Sequence, residues 1–324
     1  MNSKKRNGKI CVIGAGGWGK NHINTLSRLG HLYGIVDTDK SILNHFNTLN
    51  KNINFHTSVE DAISSGYDGY IIATPAETHF ELASILLQEG KNILIEKPVC
   101  LNYKDSQTLL AQAQKNNCFL MSGHLLLFHP AYLKIKKILD DDRIGKVRYV
   151  YSNRLNFGRV RNHENALWSL APHDISLLLF FNNYPITKVS FNSSEILKRQ
   201  ISDSTVVSLN FSNDVDAHIF ISWLHPFKEH RFVIIGEKGM IVYEDSNQHK
   251  KIDLYNNYVS FGKNNTLNAN MIQGEKEEIN FEGCSPLDNE LNYFIESVQS
   301  NSKDYTNYKL SMEVIDILER VSEK

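Results

Sequence analysis

Two short stretches of this 324-residue chain have the residue types and spacing of a dinucleotide site. The first is Gly14-Ala15-Gly16-Gly17-Trp18-Gly19, a G-x-G-x-x-G run that follows Ile10-Cys11-Val12-Ile13 and opens a helical pattern. Such a turn cradles a pyrophosphate. Gly14 allows the tight turn, Gly16 lets backbone approach the phosphates, Gly19 lets helix and strand pack closely, and the helix start presents N–H donors with the positive end of its dipole. The second is Asp37 at the end of the next β-branched run, where a carboxylate accepts hydrogen bonds from adenosine ribose hydroxyls and repels a ribose 2′-phosphate. Residue 38 is Thr rather than Arg, so the expected cofactor is NAD, not NADP. The competing reading is a ligand-free glycine turn with Asp37 as a helix cap.

Three further groups could act on a substrate. Ile93-Leu94-Ile95-Glu96-Lys97-Pro98 puts a lysine at the carboxyl edge of a parallel sheet, where doubly wound folds bind ligands; on spacing alone Lys97 reads equally as a solvated strand-end lysine. Leu167-Trp168-Ser169-Leu170-Ala171-Pro172-His173-Asp174 offers His173 as a base, or as ordinary capping around a proline that starts a helix. Asn153, Arg154, Arg159 and Arg161, with His163, make a cationic run in which guanidinium forks suit a diphosphate and asparagine suits sugar hydroxyls. The plain alternative is a solvated arginine-rich loop. His124, His129, His163 and His173 have no carboxylate or cysteine at metal-ligand spacing, so no metal is expected.

The elements that must position these groups follow from periodicity. Lys9–Ile13, Leu32–Val36, Gly69–Ala73, Asn92–Ile95 and Cys118–Met121 read as strands, separated by amphipathic helices near Trp18–Leu29, Lys40–Leu49, His79–Glu89 and Tyr103–Lys115. That alternation is a doubly wound parallel α/β domain, expected over residues 1–123. After His124 a helix near Ala131–Leu139 gives way to alternating segments at Val147–Asn156, Thr187–Ile196, Ser204–Phe211, Val215–Trp223, Arg231–Ile235 and Met240–Tyr243. These predict an α+β domain over 124–324 with a large open mixed or antiparallel sheet, closed by helices near Leu287–Val298 and Lys309–Val321. Asp245–Asn268, rich in Asn and Lys, reads as a long mobile loop.

Charge and composition exclude several classes. The 35 Lys and Arg against 36 Asp and Glu leave a net charge of -1, which speaks against a nucleic-acid or anionic-membrane partner. No apolar run approaches the roughly 20 residues of a membrane helix, and Met1–Ile10 lacks the pattern of a secretory signal. The expected location is the cytoplasm, with Cys11, Cys100, Cys118 and Cys284 reduced.

On the Gly14–Gly19 turn, on Ala73-Thr74-Pro75 followed by His79, and most of all on Glu96-Lys97-Pro98, the chain resembles the glucose-fructose oxidoreductase, inositol dehydrogenase and rhizopine catabolism family (Gfo/Idh/MocA) over nearly its whole length. The resemblance implies a Rossmann domain followed by an open-faced sheet domain. It also implies a nicotinamide cofactor among Gly14, Gly16, Gly17, Trp18, Gly19, Asp37, Thr74, Pro75, His79, Glu96 and Lys97, with hydride exchange at a sugar or cyclitol carbon. Lys97 and His173 then become the catalytic pair. Ser169 stands where the family commonly has the Asp that orients the histidine. Ser169 or Asp174 takes that role, or Lys97 carries more of the proton chemistry with a lowered pKa. The cationic run is similar to the nucleotide-sugar 3-dehydrogenase branch, which implies a UDP-N-acetyl sugar held by Asn153, Arg154, Arg159, Arg161 and Ser169. Alternatives are a dehydrogenase of free sugars or inositol, and a non-catalytic nicotinamide-binding regulator. A homodimer or homotetramer joined by the open sheet face is a further implication of the resemblance.

Overall fold

The computed structural model describes residues 8–46, 53–158, 160–161, 164–247, 250–261 and 269–322. It divides into two compact units, the described residues of Met1–Leu125 with Ser285–Asp316, and of Leu126–Cys284 with Ile317–Lys324.

In the first unit β1 (Ile10–Ile13), α1 (Gly19–Leu29), β2 (Leu32–Val36), α2 (Lys40–Phe46), β3 (Asn54–His56), α3 (Val59–Ile63), β4 (Gly69–Ile72), α4 (His79–Gln88), β5 (Asn92–Glu96), α5 (Tyr103–Lys115) and β6 (Leu120–Gly123) alternate. The six strands form one parallel sheet in the order β3-β2-β1-β4-β5-β6. Strands buried on both faces have no polar alternation, and β1, β4 and β5 are buried throughout. The strand order reverses between β1 and β4, which sets a ligand crevice at the carboxyl ends of the central strands.

The second unit contains α6 (Pro130–Asp140), β7 (Val147–Phe157), α7 (Ala166–Phe181), β8 (Ile186–Ser194), β9 (Ser204–Phe211), β10 (Asp216–Ser222), β11 (Leu224–Gly236), β12 (Met240–Glu244), β13 (Ile252–Tyr255), β14 (Tyr258–Phe261), β15 (Ala269–Ile272) and β16 (Lys276–Ile279). Eight of these strands make a mixed sheet, β16-β13-β12-β11-β7-β10-β9-β8, in which β7 and β10 are parallel and every other neighbouring pair is antiparallel. β14 and β15 form a separate hairpin. The expected loop over Asp245–Asn268 is therefore corrected: it holds β13 and β14, because Ile252 and Leu254 alternate inward and are fully buried against β12. Residues 262–268 of that stretch lie outside the described residues.

The expected domain boundary also changes. The last helices, α8 (Pro286–Gln299) and α9 (Thr306–Ser322), belong largely to the first unit, with the division falling after Asp316. Phe294 of α8 is fully buried beside Gly69 and Phe119, and Tyr308, Met312 and Ile315 of α9 join the core under α4 and α5. Each such apolar side chain stabilises by about 1.5–3 kcal/mol when fully buried. The apolar faces of α8 and α9 thus outweigh their position in sequence after the second unit.

Candidate active site

The glycine turn has two closed and two open positions. A Cβ on Gly14, whose φ is +91°, would lie 2.8 Å from the Ala73 carbonyl oxygen, and one on Gly19 would lie 1.8 Å from that of Gly14. Only glycine fits at these two close approaches. A Cβ on Gly16 or Gly17 would meet nothing within 4 Å. α1 starts at Gly19 after Trp18 with no side-chain cap and no acid in its first turn, so its positive end is unopposed. Asp37 accepts from the Ala15 N–H at 2.8 Å and, through its other oxygen, from the Asp39 N–H at 2.9 Å. A carboxylate oxygen has lone pairs beyond one such bond, so the open turn and the carboxylate together suit a dinucleotide.

The loop after β4 is held from within. Thr74 and Thr78 hydroxyls lie 2.7 Å apart, and Thr78 donates to the Pro75 carbonyl at 2.8 Å. The resemblance places His79 among the cofactor contacts. Its ring is instead buried, with Nδ1 and Nε2 each 2.9 Å from a carbonyl oxygen, those of Pro98 and Thr74. Burial pulls its pKa down. His79 fastens the end of β4 to the turn after β5 and has no ring nitrogen left for a ligand.

Glu96 is likewise turned inward. One oxygen lies 2.7 Å from His22 Nε2 on α1, and the other accepts from the Lys97 N–H at 3.2 Å. Gly123 makes room for the carboxylate, since a Cβ there would sit 3.1 Å from it. Lys97, half-buried and joined to Pro98 by a cis peptide, follows at the carboxyl end of β5. His124 is fully buried; burial and then the charge of Lys97 hold its pKa at about 3. Sequence spacing does not single out His22 or His124 as site residues.

In the second unit α7 begins at Ala166, capped by Asn165 Oδ1 accepting from the Trp168 N–H at 3.0 Å. Pro172 lies inside the helix, so His173 is not a helix-start residue, and the capping alternative is corrected. Ser169 and His173, four residues apart on one helix, share a face. Asp174, the other candidate to orient His173, is held by the strand beneath α7. It is 1% exposed and accepts from Arg154 Nε and Nη2 and from the Ser152 hydroxyl.

That contact also corrects Arg154, expected as a substrate clamp. Its guanidinium is buried; burial opposes the charge, and Asp174 beside it more than restores it, raising the pKa above the usual arginine value. Asn153 donates to Glu229 at 2.8 Å, and Arg161, exposed, pairs with Glu164 at 2.8 Å. Arg159 and His163 lie outside the described residues. Among the described residues no group of three His, Cys, Asp or Glu is placed to hold a metal ion, and no helix is long and apolar enough to cross a membrane.

The sheet order, the open glycine turn and the lysine at the end of β5 define a nicotinamide-binding α/β domain in a chain that also carries a sheet domain. The family described as "Oxidoreductase family, NAD-binding Rossmann fold" matches residues 8–124, and that of the GFO/IDH/MocA C-terminal domain matches 132–242. The chain belongs to the Gfo/Idh/MocA family, and its first unit is an NAD-binding Rossmann domain. It is 29% identical over 169 residues to UDP-N-acetylglucosamine 3-dehydrogenase of Acidithiobacillus ferrooxidans, covering 52% of either protein. It is 24% identical over 246 residues to inositol 2-dehydrogenase 1 of Saccharopolyspora erythraea, covering 72% of this chain and 73% of that one. Matches to the first curated relatives span 52–56% of their lengths. A solved structure of the Acidithiobacillus ferrooxidans UDP-N-acetylglucosamine 3-dehydrogenase superposes with a TM-score of 0.83 at 20% identity, over 97% of this chain and 96% of that one.

Proposed function

We propose that the protein is an NAD-dependent dehydrogenase that oxidises the C3 hydroxyl of UDP-N-acetylglucosamine, or of its uronic acid, to a 3-keto sugar for surface-polysaccharide synthesis. The observation that carries the redox half is the carboxyl edge of the six-stranded sheet. There the open Gly16–Gly17 turn, Asp37 and Lys97 lie at the ends of β1, β2 and β5. The choice of sugar is supported by the 29% identical relative.

NAD, when bound, supplies the hydride acceptor; the rest falls to this chain's side chains. His173 takes the hydroxyl proton as general base, and Ser169, one helical turn earlier, orients its ring, since Asp174 is committed to Arg154. The Lys97 ammonium holds the alcohol oxygen and favours the developing alkoxide. Arg161 serves the diphosphate, and copies of the chain associate through the uncovered side of the eight-stranded sheet.

The test is NADH formation from NAD with UDP-N-acetylglucosamine, its uronic acid, free inositol or glucose, each with and without 2-oxoglutarate. Turnover of a UDP sugar, lost by about 10²–10⁴-fold in Lys97→Ala and in His173→Ala, is the expected result. Turnover of free polyols alone moves the function to that class, to which the inositol 2-dehydrogenase relative points. Silence with every substrate leaves the non-catalytic reading.

A further inference from the structure

His79 is the first residue of α4, 1% exposed, and each of its ring nitrogens faces an oxygen. Nδ1 lies 2.9 Å from the Pro98 carbonyl oxygen, and Nε2 lies 2.9 Å from that of Thr74. A carbonyl oxygen only accepts, while a neutral imidazole carries one N–H and one lone pair. The neutral ring therefore bonds one of these oxygens and turns a bare nitrogen to the other, at a free-energy cost in a site without solvent. A ring with two N–H groups bonds both. The two oxygens belong to segments that flank the cofactor crevice. Thr74 lies just after β4, where the strand order reverses, and Pro98 follows Lys97 at the end of β5.

Few charges bear on the ring. Over residues 73–79 the charged residue is Glu77, and over 92–102 they are Glu96 and Lys97. Burial pulls the His79 pKa below the ordinary histidine value; the Pro98 and Thr74 carbonyls, then Glu96 and Glu77, push the other way. The core packed around α4 presents Ile72 of β4, Ile95 of β5, Val99 and Leu109 of α5, all apolar. Cys100 is kept protonated by burial, with a pKa of about 12, and Tyr308 of α9 is likewise buried and un-ionised. Asp105 of α5 is bound to Asn102.

We propose that His79 is a proton-dependent positioning residue for the cofactor site: carrying two N–H groups it ties the loop after β4 to the Lys97–Pro98 turn through both carbonyls, and carrying one it releases one of them. Its bearing on Lys97 rests on the role given to that lysine above; its bearing on NAD does not. A crevice whose walls are already tied together loses less freedom when NAD is bound. The doubly protonated ring thus favours NAD, and by linkage bound NAD favours the second proton by the same factor. One hydrogen bond sets that factor at about 2–10-fold.

The experiment follows both nitrogens of the His79 ring by NMR in the whole chain, isotope-labelled at histidine nitrogen, between about pH 4.5 and 8. The ring is assigned by through-bond correlation to its own backbone, with and without saturating NAD, and NAD binding is measured by calorimetry over the same range. At the acid end both nitrogens are expected to carry hydrogen, and at the alkaline end one of them is bare. NAD raises the proton affinity of the ring about 2–10-fold, and the parent binds NAD more tightly at the acid end by that factor. His79→Gln has donors at one end of its amide alone, so it holds one carbonyl at every pH and lacks this change in NAD affinity. A ring with one bare nitrogen at every pH, or with two N–H groups at every pH, overturns the inference, as does a ring that titrates without responding to NAD. If the Gln variant does not fold, the response of the parent ring to NAD decides. None of these readouts needs a sugar, so a chain that oxidises no UDP sugar leaves the clamp standing and removes only the proposed substrate.

Discussion

Replacing Glu290 by Gln should stabilise the first unit, and increasingly so as pH rises. Glu290 sits in the apolar stripe of α8 with Leu291, Phe294 and Val298, fully buried, and neither carboxylate oxygen has a hydrogen-bond partner. Burial, and then the charge of Glu96, raise its pKa well above the usual glutamate value. Glu96 has His22 and the Lys97 N–H against its oxygens and Glu290 has neither, so the proton rests on Glu290. The unfolded chain releases that proton near pH 4.3, while the folded chain keeps it. The folded state then binds more protons than the unfolded state, and stability falls with rising pH by about 1.4 kcal/mol per unit. The loss accumulates over the pH range in which the folded carboxyl stays protonated while the unfolded one does not. Gln has the same shape and no proton to keep. Urea unfolding by circular dichroism at pH 5, 6, 7 and 8 should show the two proteins diverging, with the Gln variant ahead at the high end. Parallel curves, or a parent that gains on the variant as pH rises, would refute the reasoning and make Glu290 an ionised, partnered group.

Further predictions concern the site. Ser169→Asp puts a carboxylate one helical turn from His173, and should raise the acid limb of the kcat/KM profile by about one pH unit; an unmoved limb would show that residue 169 does not reach the ring. Asp37→Ala removes the acceptor for the Ala15 N–H and a charged partner for ribose, and should weaken NAD about 10–100-fold in a calorimetric titration, with little change for NADP. His124, held neutral with a folded pKa of about 3, makes stability fall as pH drops below about 6.5, because the unfolded chain then takes up a proton the folded chain refuses. His124→Asn should lose that part of the acid slope in Tm measured against pH.

The glycine turn and Asp37 are legible in the sequence because they answer backbone demands that few other residues meet. Lys97 is legible because a strand end in a parallel sheet is a fixed address. Arg154 escapes such a reading because the cationic run looks like one loop, whereas its first arginine lies within β7. There Val150, Ser152 and Arg154 alternate inward and are all buried, and the same period of two, followed one residue at a time, separates Arg154 from Arg161. Glu290 leaves a signal too, an acid four residues before Phe294 in an otherwise apolar helical stripe. His79 opens α4 and Glu96 ends β5, close to where the sequence puts them. Their side chains face inward through hydrogen bonds to distant backbone and to α1, which sequence spacing cannot encode. Pro172 conceals the start of α7, since a proline more often opens a helix than sits within one.

Helices α8 and α9 complete the first unit only after the second has been translated. On the ribosome, β1 to β6 emerge long before Leu291, Phe294 and Tyr308, so the surface around Gly69 and Phe119 stays bare throughout that interval. A nascent chain halted after Cys284 would present this apolar ground to chaperones. The larger segment of the second unit, Leu126–Cys284, therefore behaves as an insertion within a parent domain, and fusing Leu125 to Ser285 through a short linker in a chain that ends at Asp316 is the natural route to the Rossmann domain alone.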